Sequence, residues 1–173
     1  NGLKYSINDI NLVIKNEKKE NKNLKITKIN NDIISDLLAQ GYIIARFFGR
    51  SETGPRALGQ RSFIASPNKP NLRKIMNNVK KREWYRPFAP IILKQEAHNV
   101  LENVLHNSYY MNTSSVIKKD WRKKMEGVSH IDNTTRPQLI DEESCLDLFE
   151  IVSKFFKKTG IPAILNTSFN IEE

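Results

Sequence analysis

The stretch YIIARFFGRSETGPRALGQRSFIASP, residues 42–67, decides the fold of this chain. Tyr42, Ile43, Ile44, Ala45, Arg46, Phe47 and Phe48 are mostly β-branched or aromatic, which predicts a largely buried strand. Gly49 and Arg50 then open a loop at the strand's carboxyl end, where α/β proteins set their ligand loops. That loop carries Arg50, Arg56 and Arg61 together with a Gly54-Pro55 and a Leu58-Gly59 step. Glycine lets the backbone turn sharply and approach a ligand, and arginine forks grip phosphate or carboxylate through paired N–H donors. Further on, KKREWYRPFAP, residues 80–90, adds Lys80, Lys81, Arg82 and Arg86 with few carboxylates to neutralise them. The pattern describes an anion site on loops held by a sheet. Its ordinary alternative is a solvated basic face, which is what most charge runs are.

The flanking sequence supplies the scaffold. Asp32 is placed to cap a short helix with Ile33, Ile34, Leu37 and Leu38 on one stripe, and Gly41 stands where a left-handed residue ends it. Pro70 after Asn68 and Lys69 starts a helix whose apolar face is Leu72, Ile75, Met76 and Val79, and which ends at Lys80, Lys81 and Arg82. The helix dipole accounts for a cation at Lys80 better than at Arg86, because Arg86 lies between the Trp84-Tyr85 pair and the stiffening Pro87 and Pro90. A strand over residues 90–93, an amphipathic helix over 95–105 and a strand at 109–111 follow. The run 118–124 sets Lys118, Lys119, Arg122, Lys123 and Lys124 around Trp121, a candidate stacking platform for nucleic acid or a lysine-rich connector, with the connector favoured.

Residues 128–132 predict a short strand, followed by a polar turn that brings His130, Asp132 and Arg136 together. A His-x-Asp pair without a third ligand does not make a metal site, so no metal is assigned. The last helix, 142–158, puts Cys145, Leu148, Phe149, Val152, Phe155 and Phe156 on one core stripe and stops at Gly160. A buried strand over 161–165 then delivers Asn166, Thr167, Ser168 and Asn170 as a polar turn, whose amides and hydroxyls suit phosphate oxygens or a carbamoyl amide.

Composition bounds the function classes. With 173 residues, 39% hydrophobic and 27% charged, the chain builds one core and one domain, over residues 30–173, after a lysine-rich linker or mobile segment at 1–29. A formal net charge of +9 points to an anionic partner without separating nucleotide from nucleic acid. Cys145 is the one cysteine, which excludes an internal disulfide and suits a buried, inert thiol. The chain has no apolar run of membrane-spanning length and no signal-peptide pattern, which points to the cytoplasm and to no membrane partner.

Five blocks, in order, carry a resemblance: Gly49-Arg50 with Glu52 and residues 54–59 and 61–62; Arg82-Glu83; residues 86–90; His130-Ile131-Asp132; and residues 166–170. They look like the carboxy-terminal domain of the nodulation-type O-carbamoyltransferases, the family that includes the tobramycin and cephem enzymes. The resemblance implies a YrdC-like α/β (α+β) fold, a twisted mixed sheet flanked by helices. It implies that ATP with Mg²⁺ and carbamoyl phosphate are turned into carbamoyl-adenylate. It also implies a larger, metal-binding Kae1-like amino-terminal domain of the same protein, absent from this sequence, that transfers the carbamoyl group to an acceptor hydroxyl. By this resemblance Lys80, Arg82 and Arg86 grip phosphates, and Ser168 and Asn170 form a Ser-x-Asn element that contacts phosphate and the activated carbonyl. Arg50, Arg56, Arg61, Arg136, Asn166 and Thr167 complete the nucleotide and carbamoyl-phosphate site. His130 is the candidate acid–base group because its ordinary pKa lies near neutrality, with a role in orienting Arg136 or a backbone as the equal alternative. A YrdC-like RNA-binding or threonylcarbamoyl-type module and an inactive interaction domain are the alternatives. Two departures stand out. Asn133 and Pro137 replace the family's usual residues, with Asn133 able to take left-handed geometry where glycine is usual. The sequence also ends at Ile171, Glu172 and Glu173 where the family continues, so an incomplete carboxyl end is expected.

Overall fold

The computed structural model describes Gly2, Leu3 and residues 5–170. The expected cut concerns residues 171–173, outside the described residues. The elements follow one another as helices α1 (Ile7–Glu20) and α2 (Asn31–Ala39), strands β1 (Ile44–Phe47) and β2 (Arg61–Ala65), helix α3 (Leu72–Val79), strand β3 (Ala89–Leu93), the short helix α4 (Ala97–Val100), strands β4 (Leu101–Glu102), β5 (Ser115–Ile117), β6 (Thr134–Thr135) and β7 (Gln138–Ile140), helix α5 (Glu142–Thr159) and strand β8 (Ala163–Ser168). The main sheet has the order β1-β2-β8-β3-β7, antiparallel except for the parallel β3–β7 pair, and a small antiparallel sheet β4-β5-β6 stands apart from it. This is the mixed α/β sheet with flanking helices that the sequence predicts.

The core follows from hydrophobic strands meeting hydrophobic helix stripes. All five residues of β3 are buried, as are Ile161, Ala163, Ile164 and Leu165 on and before β8. Helix α5 lays Leu148, Ile151, Val152 and Phe155 against them. Each fully buried Leu, Ile or Phe contributes roughly 1.5–3 kcal/mol of burial free energy. Asp141 and Ser144 form a capping box at the start of α5, and Gly160 ends it at φ 69°. Cys145 departs from helical geometry there and is half-buried, accepting from the Gln60 Nε2 at 3.6 Å, so it is neither sealed in the core nor on an unbroken stripe. The α2 helix packs on α5 through Leu38 and through Ser35, whose hydroxyl donates to the Ile151 carbonyl at 3.0 Å.

Several local expectations change. Asn30, not Asp32, caps α2, with its side chain accepting from the Ile33 N–H at 3.0 Å. The strand expected over 42–48 is an edge strand of four residues, exposed at Ala45 and Phe47, and its buried side chain is Arg46. Arg46 is accommodated because it is paired: its Nε donates to the Gly59 carbonyl at 2.7 Å and its Nη2 pairs with Asp147. Helix α3 begins after Asn71, which is left-handed at φ 58°, rather than at Pro70. Its inward face is Leu72, Met76, Asn77 and, one residue past its end, Lys80, while Ile75 and Val79 are exposed. The helix expected over 95–105 shrinks to α4 because the chain turns into β4 at Leu101. Residues 109–111 form no strand, Met111 being left-handed at φ 56°. Residues 126–128 form a 3₁₀ turn where a strand is expected from Val128, and pairing starts at β6. Asn133 does take left-handed geometry, at φ 63°. Between residues 7 and 20, where the lysine-rich composition suggests a linker, Ser6 and Asp9 form a capping box on α1, and this helix buries none of its residues.

Candidate functional site

Strand β8 runs on through Ser168, so Asn166, Thr167 and Ser168 lie on a sheet strand rather than in a turn, paired with Ile64, Phe63 and Ser62 of β2. Sheet pairing fixes their backbones and aims their side chains better than a loop does. Opposite them stands the 52–60 loop, held from inside. The Glu52 carboxylate accepts the backbone N–H groups of Leu58 at 2.9 Å, Gln60 at 2.7 Å and Arg61 at 3.2 Å. Burial pushes the Glu52 carboxyl upward, but these hydrogen bonds outweigh it and leave its pKa below the ordinary value. Asn166 Nδ2 donates to the Ala57 carbonyl at 2.8 Å and Gln138 Nε2 to the Leu58 carbonyl at 2.9 Å. Gly59 sits at φ 97°, where a Cβ would lie 2.3 Å from Leu148 Cδ1, so only glycine fits the close approach of loop to helix α5.

The held loop, the segment after α3 and the end of β8 enclose a cleft of about 100 Å³. Arg56, Arg82 and Arg136 line it with Asn166, Thr167 and Ser168, and among the described residues no carboxylate does. Lys80 lies just behind it, 0% exposed, with Nζ donating to Ser168 Oγ at 2.9 Å, Ser168 O at 2.9 Å, Asn170 Oδ1 at 2.7 Å and Asn170 O at 3.1 Å. The helix dipole does not account for this lysine: it is folded inward and built into the Ser168–Asn170 pair, whereas Arg86 is 39% exposed and pairs with Glu83 at 3.3 Å. Burial, and then the nearby Arg56 charge, push the Arg136 guanidinium below the usual arginine range. Like charges crowded in this way favour an anion between them. The cleft opens, past Pro55, Arg56, Met111 and Arg136, into a groove of about 580 Å³ lined also by Tyr110, Asn112, Thr113 and Ser114.

The structure thus brings Lys80, Arg56, Arg82, Arg136, Asn166, Thr167, Ser168 and Asn170 together, and it does not bring Arg50, Arg61 and Arg86 to the cleft. Arg82 also has a structural task, donating to Asn77 Oδ1 at 2.8 Å and to the Pro87 carbonyl at 2.9 Å. Arg61 faces the other way, donating to the Phe48 carbonyl at 2.6 Å and the Gly49 carbonyl at 3.0 Å with its guanidinium over the Phe47 ring. His130 stands beside the site, with Nδ1 3.1 Å from Thr134 Oγ1. Burial, then the positive Arg136, lower its pKa despite Asp132, so near neutrality the ring is an uncharged acid–base candidate. In the 118–124 run Trp121 packs against the core with the Lys124 ammonium 4.5 Å from its ring centre, so this ring is committed within the fold.

The model of the Carbamoyltransferase C-terminus family matches residues 35–173. The chain belongs to this family. It is 39% identical over 139 residues to the nodulation protein NolNO of Sinorhizobium fredii, covering 79% of this chain and 20% of that protein. It is 34% identical over 137 residues to nodulation protein U of Azorhizobium caulinodans, covering 79% of this chain and 24% of that protein. An uncharacterized protein of Methanocaldococcus jannaschii is 35% identical over 174 residues, 98% of this chain and 28% of the relative. The chain therefore spans about a quarter of the length of these relatives. Within this carbamoyltransferase domain, among the described residues, no helix is long and apolar enough to cross a membrane. Sequence reasoning missed Arg46, Asp147 and Gln138 as holders of the loop; an arginine within an apolar strand is the one signal that marks the first of them.

Proposed function

We propose that this domain binds ATP and carbamoyl phosphate and forms carbamoyl-adenylate as part of an O-carbamoyltransferase. A larger Kae1-like domain of the same protein then transfers the carbamoyl group to an acceptor hydroxyl. In the forming step the carbamoyl oxygen becomes bonded to the α-phosphorus of ATP. Pyrophosphate leaves from the nucleotide and phosphate from carbamoyl phosphate, and one water is consumed. The observation that carries this assignment is the cleft in which Arg56, Arg82 and Arg136 face the amide and hydroxyls of β8, with Lys80 held at Ser168 and Asn170.

Such a reaction asks the protein for positioning and charge stabilisation more than for a nucleophile. Arg56 and Arg136, which line the cleft, would compensate phosphate charge as it shifts toward the leaving pyrophosphate. Lys80 fixes the Ser168 hydroxyl and Asn170 amide by donating to their oxygens, so these groups do not reorganise as the reaction proceeds. The adjoining groove, with Tyr110 on its wall, has the volume a nucleoside needs. The cleft offers guanidinium, amide and hydroxyl groups, a donor set that fits phosphate oxygens rather than a bare cation, so Mg²⁺ would enter on the nucleotide's own phosphates and neutralise part of their charge. A need for ATP suits the cytoplasm.

The test is release of pyrophosphate from ATP by the full-length protein, with and without carbamoyl phosphate. Release that depends on carbamoyl phosphate supports the proposal. Release that ignores it, or none at all, contradicts it. The packed Trp121 gives the nucleic-acid alternative no support from the 118–124 run.

A further inference from the structure

Asn166 is 2% exposed and lines the cleft, and its two amide atoms are in opposite situations. Nδ2 donates to the Ala57 carbonyl at 2.8 Å and to Gln138 Oε1 at 3.1 Å. Oδ1 is buried and, among the described residues, has no hydrogen-bond partner. The amide cannot simply be turned over. Gln138 Nε2 is committed to the Leu58 carbonyl, so Gln138 presents an oxygen to Asn166, and a flipped Asn166 would set oxygen against oxygen at both contacts. A buried acceptor left unmade is costly, and such groups persist where a ligand supplies the partner. Around it, Arg56, Arg82 and Arg136 offer N–H donors to oxygen atoms.

A hydrogen donor on a small, otherwise oxygen-rich anion would satisfy it. Inorganic phosphate at neutral pH keeps only a P–OH, on one of the oxygens that the arginines would hold, and an ionised acyl phosphate ending in a methyl group has no donor at all. A carbamoyl group has an N–H donor on the atom next to its carbonyl carbon, and it is small enough for a cleft of about 100 Å³. We propose that Asn166 Oδ1 accepts an N–H of the carbamoyl group and so selects carbamoyl phosphate over methyl-ended acyl phosphates. This rests on the carbamoyl-phosphate assignment made above. Oδ1 is shielded from water in this unliganded form, so the pairing forms as the cleft, whose lip is the exposed 53–56 segment, adjusts around the ligand. Ala57, next to that lip, is tied to the same Asn166 side chain, which couples the loop to the group it reads.

The experiment measures binding of carbamoyl phosphate and of acetyl phosphate to the full-length protein by calorimetry, for the wild type, Asn166→Ala and Gln138→Ala. A site built to pair a polar group rejects an analogue lacking it strongly, so the wild type is expected to prefer carbamoyl phosphate by about 10-fold or more. Asn166→Ala is expected to bring that ratio close to one. Gln138→Ala loosens the same loop at Leu58 and removes one of the two acceptors of Asn166 Nδ2, but the Ala57 carbonyl still orients the amide, so both ligands are expected to weaken alike with the ratio kept. A wild-type ratio near one, or a preference that survives Asn166→Ala, overturns the inference while leaving the functional assignment standing. Failure of the wild type to bind carbamoyl phosphate at all overturns both.

Discussion

Two basic regions of this molecule look alike in sequence and differ in structure. The cleft gathers Lys80, Arg56, Arg82 and Arg136 from separate elements and sets them against the polar end of a sheet strand, with Lys80 sealed inside. The 118–124 run has a comparable density of charge, yet Lys119, Arg122, Lys123 and Lys124 are exposed and ring a tryptophan already packed on the core. The difference teaches that net charge names a class of partner but burial and convergence name a site. A solvated lysine is screened and costs little to move, whereas a buried one is kept only because its donors are used.

The largest effect that sharpens this contrast is expected at Lys80. Lys80→Met keeps the buried stem and removes the ammonium from Ser168 and Asn170; pyrophosphate release should fall about 10²–10³-fold, the usual loss for a preorganised polar group. Unfolding midpoints with and without the substitution separate this from simple unfolding. Next comes the loop. Gly59→Ala forces a Cβ into Leu148 Cδ1 at a positive φ, and a loss of about 1–3 kcal/mol in urea denaturation is expected, with weaker ATP binding because the Arg56 loop shifts.

A smaller, pH-dependent effect isolates Glu52. Its pKa is lower in the folded state than the ordinary 4.5, so its contribution to stability is complete above that value and is lost as pH falls through the depressed folded value. Glu52→Gln should therefore flatten the acid limb of the stability profile, measured as urea midpoint between pH 6 and about pH 3. An unchanged acid limb would show that the three backbone hydrogen bonds do not depend on the charge. The smallest effect belongs to the other basic region. Replacing Lys119, Lys123 and Lys124 together by alanine should change stability by no more than about 0.5 kcal/mol and leave pyrophosphate release within a factor of about two. A large loss there would erase the contrast between the two regions.

Much of the fold was legible because period and punctuation agree with it. The stripe of α5, its stop at Gly160, the buried β3 and the left-handed Gly41 and Asn133 all follow from local rules. What was not legible depends on distant partners. Arg46 reads as a flaw in a buried strand until Asp147 and the Gly59 carbonyl are beside it. The inward turn of Lys80 needs the end of β8, far along the chain, and its position one residue past α3 looks like ordinary dipole compensation. The sequence names candidate site residues but not which of them converge. Arg50, Arg61 and Arg86 share the motif blocks with Arg56 and Arg82, and only the path of the backbone shows that Arg61 folds back onto the Phe48 and Gly49 carbonyls while Arg56 reaches the cleft.

The buried Lys80 and the arginines around β8 are proposed to serve a carbamoyl-adenylating site. The most direct measurement is carbamoyl-phosphate-dependent release of pyrophosphate from ATP by the full-length protein, compared between wild type, Lys80→Met and the Lys119, Lys123 and Lys124 triple replacement. The account predicts release in the wild type and the triple variant and its near-complete loss in Lys80→Met. Release that persists undiminished in a folded Lys80→Met protein would contradict it.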